Sequence, residues 1–219
     1  MAVGVPNTDI EGNPRPEPPG SDPDIGAYEN SRSEPQPQFI QITSPNGEAD
    51  FKGGSSTDIT WTWDIAISVD HIRLLYSTDG GTTYPNTIIA STPNDGTHSW
   101  TVPSINSDAV RVKAIAEDSS NNELLSDTSD SNFTIDSTAP TTTIGLTGTQ
   151  GENGWYISDV QVTLTATDNL TGVKVTRYRI NSGSWQNYTS PFTISGSTVD
   201  YYSEDNVSNV EATRTQEIK

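Results

Sequence analysis

The 219-residue sequence has no cysteine, only two histidines and one methionine, and few basic residues. Without cysteine it can form neither disulfide bonds nor thiolate metal sites. His71 and His98 belong to no H-x-H, H-E-x-x-H or triad-like arrangement, and the sequence has no phosphate-binding loop or dinucleotide fingerprint. Acidic residues are numerous, but most lie in predicted loops, where solvation explains them without a paired-carboxylate hydrolase site. We therefore expect a protein that is not an enzyme.

Basic charge is scarce: 11 Lys and Arg residues stand against 29 Asp and Glu, for a net charge of −18 and a sequence pI near 4.1. Such a field repels phosphate backbones and anionic lipids and attracts divalent cations. No apolar run approaches the length of a membrane span. We expect no nucleic-acid partner and no membrane insertion. No signal peptide is evident near residue 1, so an exported protein would carry that signal upstream.

Turn residues and short stretches of alternating apolar and polar side chains are abundant, although only 31% of residues are hydrophobic. Ile59, Trp61 and Trp63 alternate with polar residues, which places one face of that strand inward. Short strands at regular spacing, seven in each half, predict β-sandwiches. The predicted fold class is all-β, with two tandem Ig-like antiparallel β-sandwiches after an extended, largely irregular N-terminal segment. The predicted boundaries are 1–38 for this tail or linker, 39–136 for the first sandwich and 137–219 for the second.

Both predicted sandwiches resemble known extracellular modules. In the first, ITSPNGEADFKGG, ITWTW and IRLLYSTDGG are similar to Ig-like and fibronectin-III-like modules of secreted bacterial and archaeal proteins. In the second, TAPTTTIGLTGTQGENGWYISDVQVTLTATDNLTGV resembles the Ig-like repeats of bacterial surface proteins, including outer-surface proteins. The resemblance implies an extracellular or cell-surface location. It also implies a non-catalytic role as stalk or adhesion modules of a larger protein.

The N-terminal stretch TDIEGNPRPEPPGSDPDIGAYE, residues 8–29, resembles the closing segment of secreted right-handed parallel β-helix proteins. It implies that a β-helix domain precedes residue 1 in the native polypeptide. Two further functional hypotheses follow: carbohydrate-binding accessory modules of a polysaccharide-active β-helix enzyme, or a filament subunit whose residues 1–38 add as a strand to a neighbour. Prolines in that segment count against the filament, because each removes a ladder donor. The expected partner is a polysaccharide or a surface protein.

The stretch YSTDGGTTY, residues 76–84, resembles the Asp-box hairpin that sialidases repeat around their propellers. A sialidase requires several such hairpins on repeated blades and an arginine cluster, and this sequence has neither. Asp79 is instead expected to accept backbone N–H bonds, and Gly80 and Gly81 to reach positive φ, in a tight connection between two strands. We predict a structural turn without catalytic function.

Acidic and amide residues recur in loops that an Ig-type sandwich gathers at one end. The candidate metal ligands are Asp136 in the linker, Asp168 and Asn169 in one loop of the second sandwich, and Asp205 and Asn206 in another. Hard oxygen ligands from several loops suit Ca²⁺. Simple Asx-turns explain the same residues without a metal, so both interpretations stay open. We expect that no cofactor is required for folding and that a structural Ca²⁺ at the joint is the candidate ion.

Five Trp and eight Tyr residues are many for so polar a chain. Sugar-binding sandwiches expose coplanar rings, and the candidate carbohydrate-binding residues here are Trp63, Tyr84, Tyr188 and Tyr202. Trp61 and Trp100 are instead expected in the core. Core packing or hairpin cover is the competing explanation for each of the four candidate rings.

Overall fold

The computed structural model describes residues 38–64 and 68–219. The predicted N-terminal tail and its β-helix-like signature therefore lie outside the described residues. Residues 40–63 and 68–219 form one compact unit, which contains both sandwiches. The other unit, residues 1–39 and 64–67, falls almost entirely outside the described part of the chain.

Sixteen strands and one short 3-10 turn make up the described residues. In the first half they are β1 (Ile40–Ser44), β2 (Asp50–Lys52), β3 (Ser56–Trp63), β4 (His71–Ser77), β5 (Asn86–Thr92), β6 (Thr97–Thr101), β7 (Ser107–Glu117), β8 (Glu123–Thr128) and β9 (Phe133–Asp136). In the second half they are β10 (Thr141–Thr147), the 3-10 turn (Glu152–Gly154), β11 (Val160–Thr167), β12 (Val173–Ile180), β13 (Gln186–Asn187), β14 (Phe192–Ile194), β15 (Ser197–Asp205) and β16 (Arg214–Ile218).

The first sandwich has one sheet in the order β1-β3-β6 and a second in the order β2-β9-β7-β4-β5, with β8 also pairing with β7. All pairings are antiparallel except the parallel pair β2–β9. Alternate side chains of facing strands fill the core, and Trp61 and Trp100 belong to it as the alternation predicts. Each large apolar side chain that is fully buried contributes about 1.5–3 kcal/mol.

The second sandwich pairs a sheet in the order β10-β11-β14 with a sheet in the order β13-β12-β15-β16. Its core is smaller and is centred on three alternating residues of β11, Val160, Val162 and Leu164, which face Val199 and Tyr201 of β15. The predicted all-β fold of antiparallel sandwiches is confirmed. Among the described residues, no helix is both long enough and apolar enough to cross a membrane.

Two strands of the first sandwich escape prediction from sequence. β2 has only three residues, which is too short for its alternation to be detected in the sequence. β8 is a mostly polar strand that pairs antiparallel with the second half of β7. β2 is a strand because it pairs with β9, and β8 because it pairs with β7. Such pairing cannot be inferred from the residues of the short strand alone.

Candidate metal centre

Three aspartates from three strand ends converge where the sandwiches meet. Asp136 is the last residue of β9, Asp168 directly follows β11, and Asp205 is the last residue of β15. One carboxylate oxygen from each lies within 4.8 Å of the others. Asp136 therefore comes from the last strand of the first sandwich, and the other two come from the second. The structure thus brings together three of the five ligands proposed from the sequence.

The carboxylate of Asp205 is fully buried, with 0% exposure. Its Oδ1 accepts the backbone N–H of Val207 at 3.0 Å and of Asn209 at 2.7 Å, and its Oδ2 accepts the Asn209 amide Nδ2 at 2.8 Å. These are Asx-type contacts that shape the loop after β15. They hold the carboxylate in one orientation within the loop.

Asp136 is also fully buried and joins the two sandwiches. Its Oδ2 accepts the backbone N–H of Thr171 at 3.1 Å and the Thr171 hydroxyl at 2.8 Å. Its main-chain carbonyl accepts the Asn209 amide at 3.0 Å. Nearby, Lys52 Nζ donates to the Ser208 carbonyl at 2.7 Å. Side chains of the first sandwich thus contact both acidic loops of the second.

One carboxylate oxygen of Asp168 has no hydrogen-bond partner in the described part of the chain and is called the bare oxygen below. Asp168 Oδ2 accepts the N–H groups of Leu170 at 3.1 Å and Gly172 at 2.9 Å. Its Oδ1 is buried from solvent and has no hydrogen-bond partner among the described residues. A buried polar atom without a partner is uncommon in folded proteins, because it loses hydration without compensation.

Within residues 38–64 and 68–219, no basic side chain balances the charge of the cluster. No lysine, arginine or histidine of the described residues forms an ion pair with any of the three aspartates. Ca²⁺ binds oxygen at about 2.3–2.6 Å, so two ligands on one ion lie at most about 5 Å apart. The separations in the cluster satisfy that limit. The residues present therefore fit a bound Ca²⁺.

The two asparagines proposed as ligands take other positions. Asn206 uses its amide Nδ2 to donate to the carbonyls of Thr171 at 2.6 Å and Gly172 at 3.3 Å, which fastens the two acidic loops together. Asn169 is exposed. Sequence reasoning missed Thr171 and Asn209, which position the carboxylates. The available signal was spacing, since Asn209 follows Asp205 by four residues, as in an Asx-type loop.

The predicted hairpin at residues 76–84 is held by a network on one aspartate. Asp79 Oδ1 accepts the Ser77 hydroxyl at 2.6 Å, and Asp79 Oδ2 accepts the Thr83 hydroxyl at 2.6 Å. Gly80 and Gly81 have φ of +73° and +88°, which glycine adopts without a steric penalty. The hydrogen bonds from Ser77 and then Thr83 lower the pKa of Asp79 from 3.8 to about 2. The contacts are those of a turn.

The hairpin makes stability depend on pH in a defined direction. Because the pKa of Asp79 is lower in the folded than in the unfolded protein, ionised Asp79 adds to the free energy of unfolding above about pH 4. This contribution disappears as pH falls through about 2. We expect Asp79→Asn to melt at a lower temperature than the wild type at neutral pH, with the difference closing between about pH 4 and pH 2. Thermal unfolding at several pH values measures this. Asp58→Asn, an exposed β3 control, should match the wild type, and a pH-independent difference for Asp79→Asn would contradict the assignment.

The four candidate sugar-binding rings do not form one surface. Two lie in each sandwich, all four are partly buried, and no ring contact joins any two of them among the described residues. Trp63 packs against the first core and Tyr188 against the second. Tyr202 contacts Trp185 at 4.7 Å between ring centroids. Burial raises the pKa of the Tyr84 hydroxyl. Packing within each sandwich explains the contacts of Trp63, Tyr188 and Tyr202 without a sugar ligand.

No protein-family model and no curated protein matches the sequence significantly. Among solved structures, the chain is similar to the fibronectin(III)-like modules of Clostridium thermocellum CbhA, with 15% identity, a TM-score of 0.35, and coverage of 82% of this chain and 93% of that one. It is also similar to the FN1–FN3 domains of chicken CNTN1, with 12% identity, a TM-score of 0.34, and coverage of 84% of this chain and 65% of that one.

Proposed function

We propose that the two sandwiches form a non-catalytic spacer in a larger secreted or cell-surface protein, and that a bound Ca²⁺ orders the joint between them. The observation that carries the proposal is the buried, unpartnered Asp168 Oδ1, which lies in a cluster with the carboxylates of Asp136 and Asp205. A divalent cation at that point would offset two of the three negative charges and supply the missing partner. It would also bind both sandwiches at once.

The donor set favours calcium over other common ions. All three candidate ligands are carboxylate oxygens, whereas Zn²⁺ prefers histidine and cysteine ligands. Mg²⁺ requires near-ideal octahedral geometry and retains several waters, while Ca²⁺ tolerates irregular oxygen cages. Every oxygen of these carboxylates except Asp168 Oδ1 accepts a hydrogen bond, which holds the three side chains in fixed orientations.

An ordered joint suits a spacer for mechanical reasons. The four residues between β9 and β10 include Pro140, whose ring restricts φ. The contacts of Asp136 and Lys52 with the second sandwich further restrict relative motion. A bridging ion would add bonds that must break together before the sandwiches can separate. Such a joint holds a neighbouring domain at a defined distance from its attachment point.

The experiment is a distance measurement across the joint. The chain has no native cysteine, so spin labels can be placed at Thr62→Cys in β3 and Thr165→Cys in β11, both exposed positions. Pulsed electron resonance then gives the distribution of label distances with EDTA and with calcium. We expect calcium to narrow the distribution, because the ion ties Asp136 to the loops of Asp168 and Asp205.

Asp168→Asn is the matched control, because it removes the bare oxygen and keeps the side-chain volume. In this variant calcium should leave the distance distribution unchanged. If the wild-type distribution has the same width with EDTA and with calcium, the proposed function is wrong. If calcium narrows the distribution equally in Asp168→Asn, the ion acts at another place.

A further inference from the structure

The strand β10 lies at the edge of its sheet and lacks the features that keep edge strands from pairing with other chains. It is the first strand in the sheet order β10-β11-β14, and its sequence TTTIGLT contains no charged residue and no proline. Its pairing with β11 runs from Thr141 to Thr147 without a β-bulge. Natural proteins protect exposed edges with charges, prolines, bulges or very short strands. Because β10 has none of these, it is an edge open to pairing.

Other edge strands of the described residues are shorter, charged or irregular. β2, β13 and β14 have two or three residues each, and β6 has five. β16 carries Arg214 and Glu217, and the pairing of β5 with β4 has register shifts. On β1, the backbone N–H of Ile42 donates to the Asp127 carboxylate at 2.7 Å, which caps that edge. The long, regular and uncharged edge of β10 therefore stands out from the rest.

Hydrogen bonds show which backbone groups of β10 point outward. The Thr142 N–H donates to the Glu211 carboxylate at 3.1 Å instead of to β11. In an antiparallel ladder the bonded positions alternate, so the N–H and C=O groups of Ile144 and Leu146 point to the same side as those of Thr142. Within the part of the chain that the structure describes, no backbone hydrogen bond reaches these groups of Ile144 and Leu146. Glu211 thus caps the start of the edge and leaves residues 143–147 open.

The open stretch is complementary to itself about Gly145. Two antiparallel copies centred there place Ile144 opposite Leu146 of the second copy, at a position where the two residues exchange both backbone hydrogen bonds. The side chains of Ile144 and Leu146 are partly buried against the core of the second sandwich, and pairing would cover more of their surface. On the outer face, Thr143 lies opposite Thr147 of the second copy and the two glycines meet. No like charges face each other along the strand.

We propose that β10 is a self-association surface, through which a second copy of this chain adds edge to edge and continues the three-stranded sheet across a two-fold axis. The same residues then meet on both sides, as a two-fold contact requires. One strand buries less than the roughly 800 Å² per partner of a typical stable complex. We therefore expect a dimer that forms at high protein concentration, or where a larger assembly holds copies close together. The surface uses none of the aspartates of the metal centre.

The test is sedimentation equilibrium of the whole chain in EDTA, from about 5 μM to about 500 μM protein. EDTA excludes calcium bridges between acidic copies. The apparent mass should rise from 23.6 kDa towards twice that value. The rise should be larger at higher salt, because salt screens the repulsion between copies that each carry a net charge of −18. Hydrogen exchange at the amides of Ile144 and Leu146 should slow over the same range of concentration.

Gly145→Glu places two negative charges opposite each other at the two-fold axis. The position has space for a side chain, since the nearest neighbours of an added Cβ belong to Thr163 and lie 3.8 Å away. We expect this variant to weaken dimerisation about fivefold. Thr165→Glu is the matched control, because it adds the same charge on the exposed face of β11, one strand away from the paired edge. At moderate salt it should dimerise as the wild type does.

Four results would overturn the inference. The wild type could keep the monomer mass over the whole concentration range, or it could dimerise without slower exchange at Ile144 and Leu146. Gly145→Glu could dimerise as tightly as the wild type, which would place the contact elsewhere. Finally, Thr165→Glu could weaken dimerisation as much as Gly145→Glu does, which would make net charge the cause.

Discussion

Replacing Phe133 with alanine is expected to lower the free energy of unfolding of the first sandwich by about 3–5 kcal/mol. The Phe133 side chain is 1% exposed, and its ring contacts those of Phe51 at 5.5 Å and Trp100 at 6.4 Å. Truncation removes apolar surface from the core and leaves a cavity that two sheets cannot fully close. Urea unfolding followed by tryptophan fluorescence measures the change.

The substitution has a second consequence because β9 ends three residues later at Asp136. A loosened β9 should also weaken the response of the joint to calcium. Leu124→Ala is the control in the same sandwich, since Leu124 is 39% exposed, and it should change stability by less than about 1 kcal/mol. If Phe133→Ala fails to fold, Phe133→Leu should still cost about 1 kcal/mol. A Phe133→Ala loss no larger than that of Leu124→Ala would contradict the assigned core.

Strand positions were the most predictable part of the fold, because each strand buries one face and its sequence shows that alternation. Ile59 and Trp61 are buried as expected, and the β11 residues from Val160 to Thr167 form the strand predicted there. The prediction placed the last strand from Val210, but β16 begins at Arg214. Residues 210–213 follow the Asp205 loop, and Val210 is 53% exposed with a single bridge to Glu204. The alternating residues 210–213 therefore belong to a loop that meets the sheet at this bridge and do not extend β16.

The cluster of Asp136, Asp168 and Asp205 was predictable in outline and not in detail. Strand ends that share one end of a sandwich bring Asp168 and Asp205 together, and the linker adds Asp136. Among the described residues, Asp168 Oδ1 is left without a partner because the N–H groups of Leu170 and Gly172 both bond to Oδ2, and these bonds follow from loop conformation. Calcium binding itself stays a prediction.

The second large effect concerns Asp168→Asn, which we expect to abolish stabilisation by calcium and to stabilise the calcium-free protein. With Kd of about 10⁻⁴ M and calcium at about 1 mM, binding adds about 1.4 kcal/mol to the wild type. Without the ion, each pair of carboxylates about 5 Å apart repels by about 3 kcal/mol at an effective dielectric constant of about 20.

An amide at position 168 can keep the bonds from Leu170 and Gly172 through its oxygen. Its NH₂ group then takes the place of Oδ1 and removes one negative charge from the cluster with Asp136 and Asp205. Because Asp168 is only partly buried, solvent reduces the relieved repulsion, and we expect a net gain of about 1 kcal/mol in EDTA. The same substitution therefore raises stability without calcium and removes the response to it.

The most direct test of the calcium joint is thermal unfolding of the wild type and Asp168→Asn in EDTA, in calcium and in magnesium at matched ionic strength. The wild-type midpoint should rise by about 3–6 °C with about 1 mM calcium and by less with magnesium. Asp168→Asn should melt above the wild type in EDTA and show no calcium response. A wild-type midpoint that does not move with calcium, or an Asp168→Asn midpoint that moves equally, would contradict a calcium ion bound between the two sandwiches.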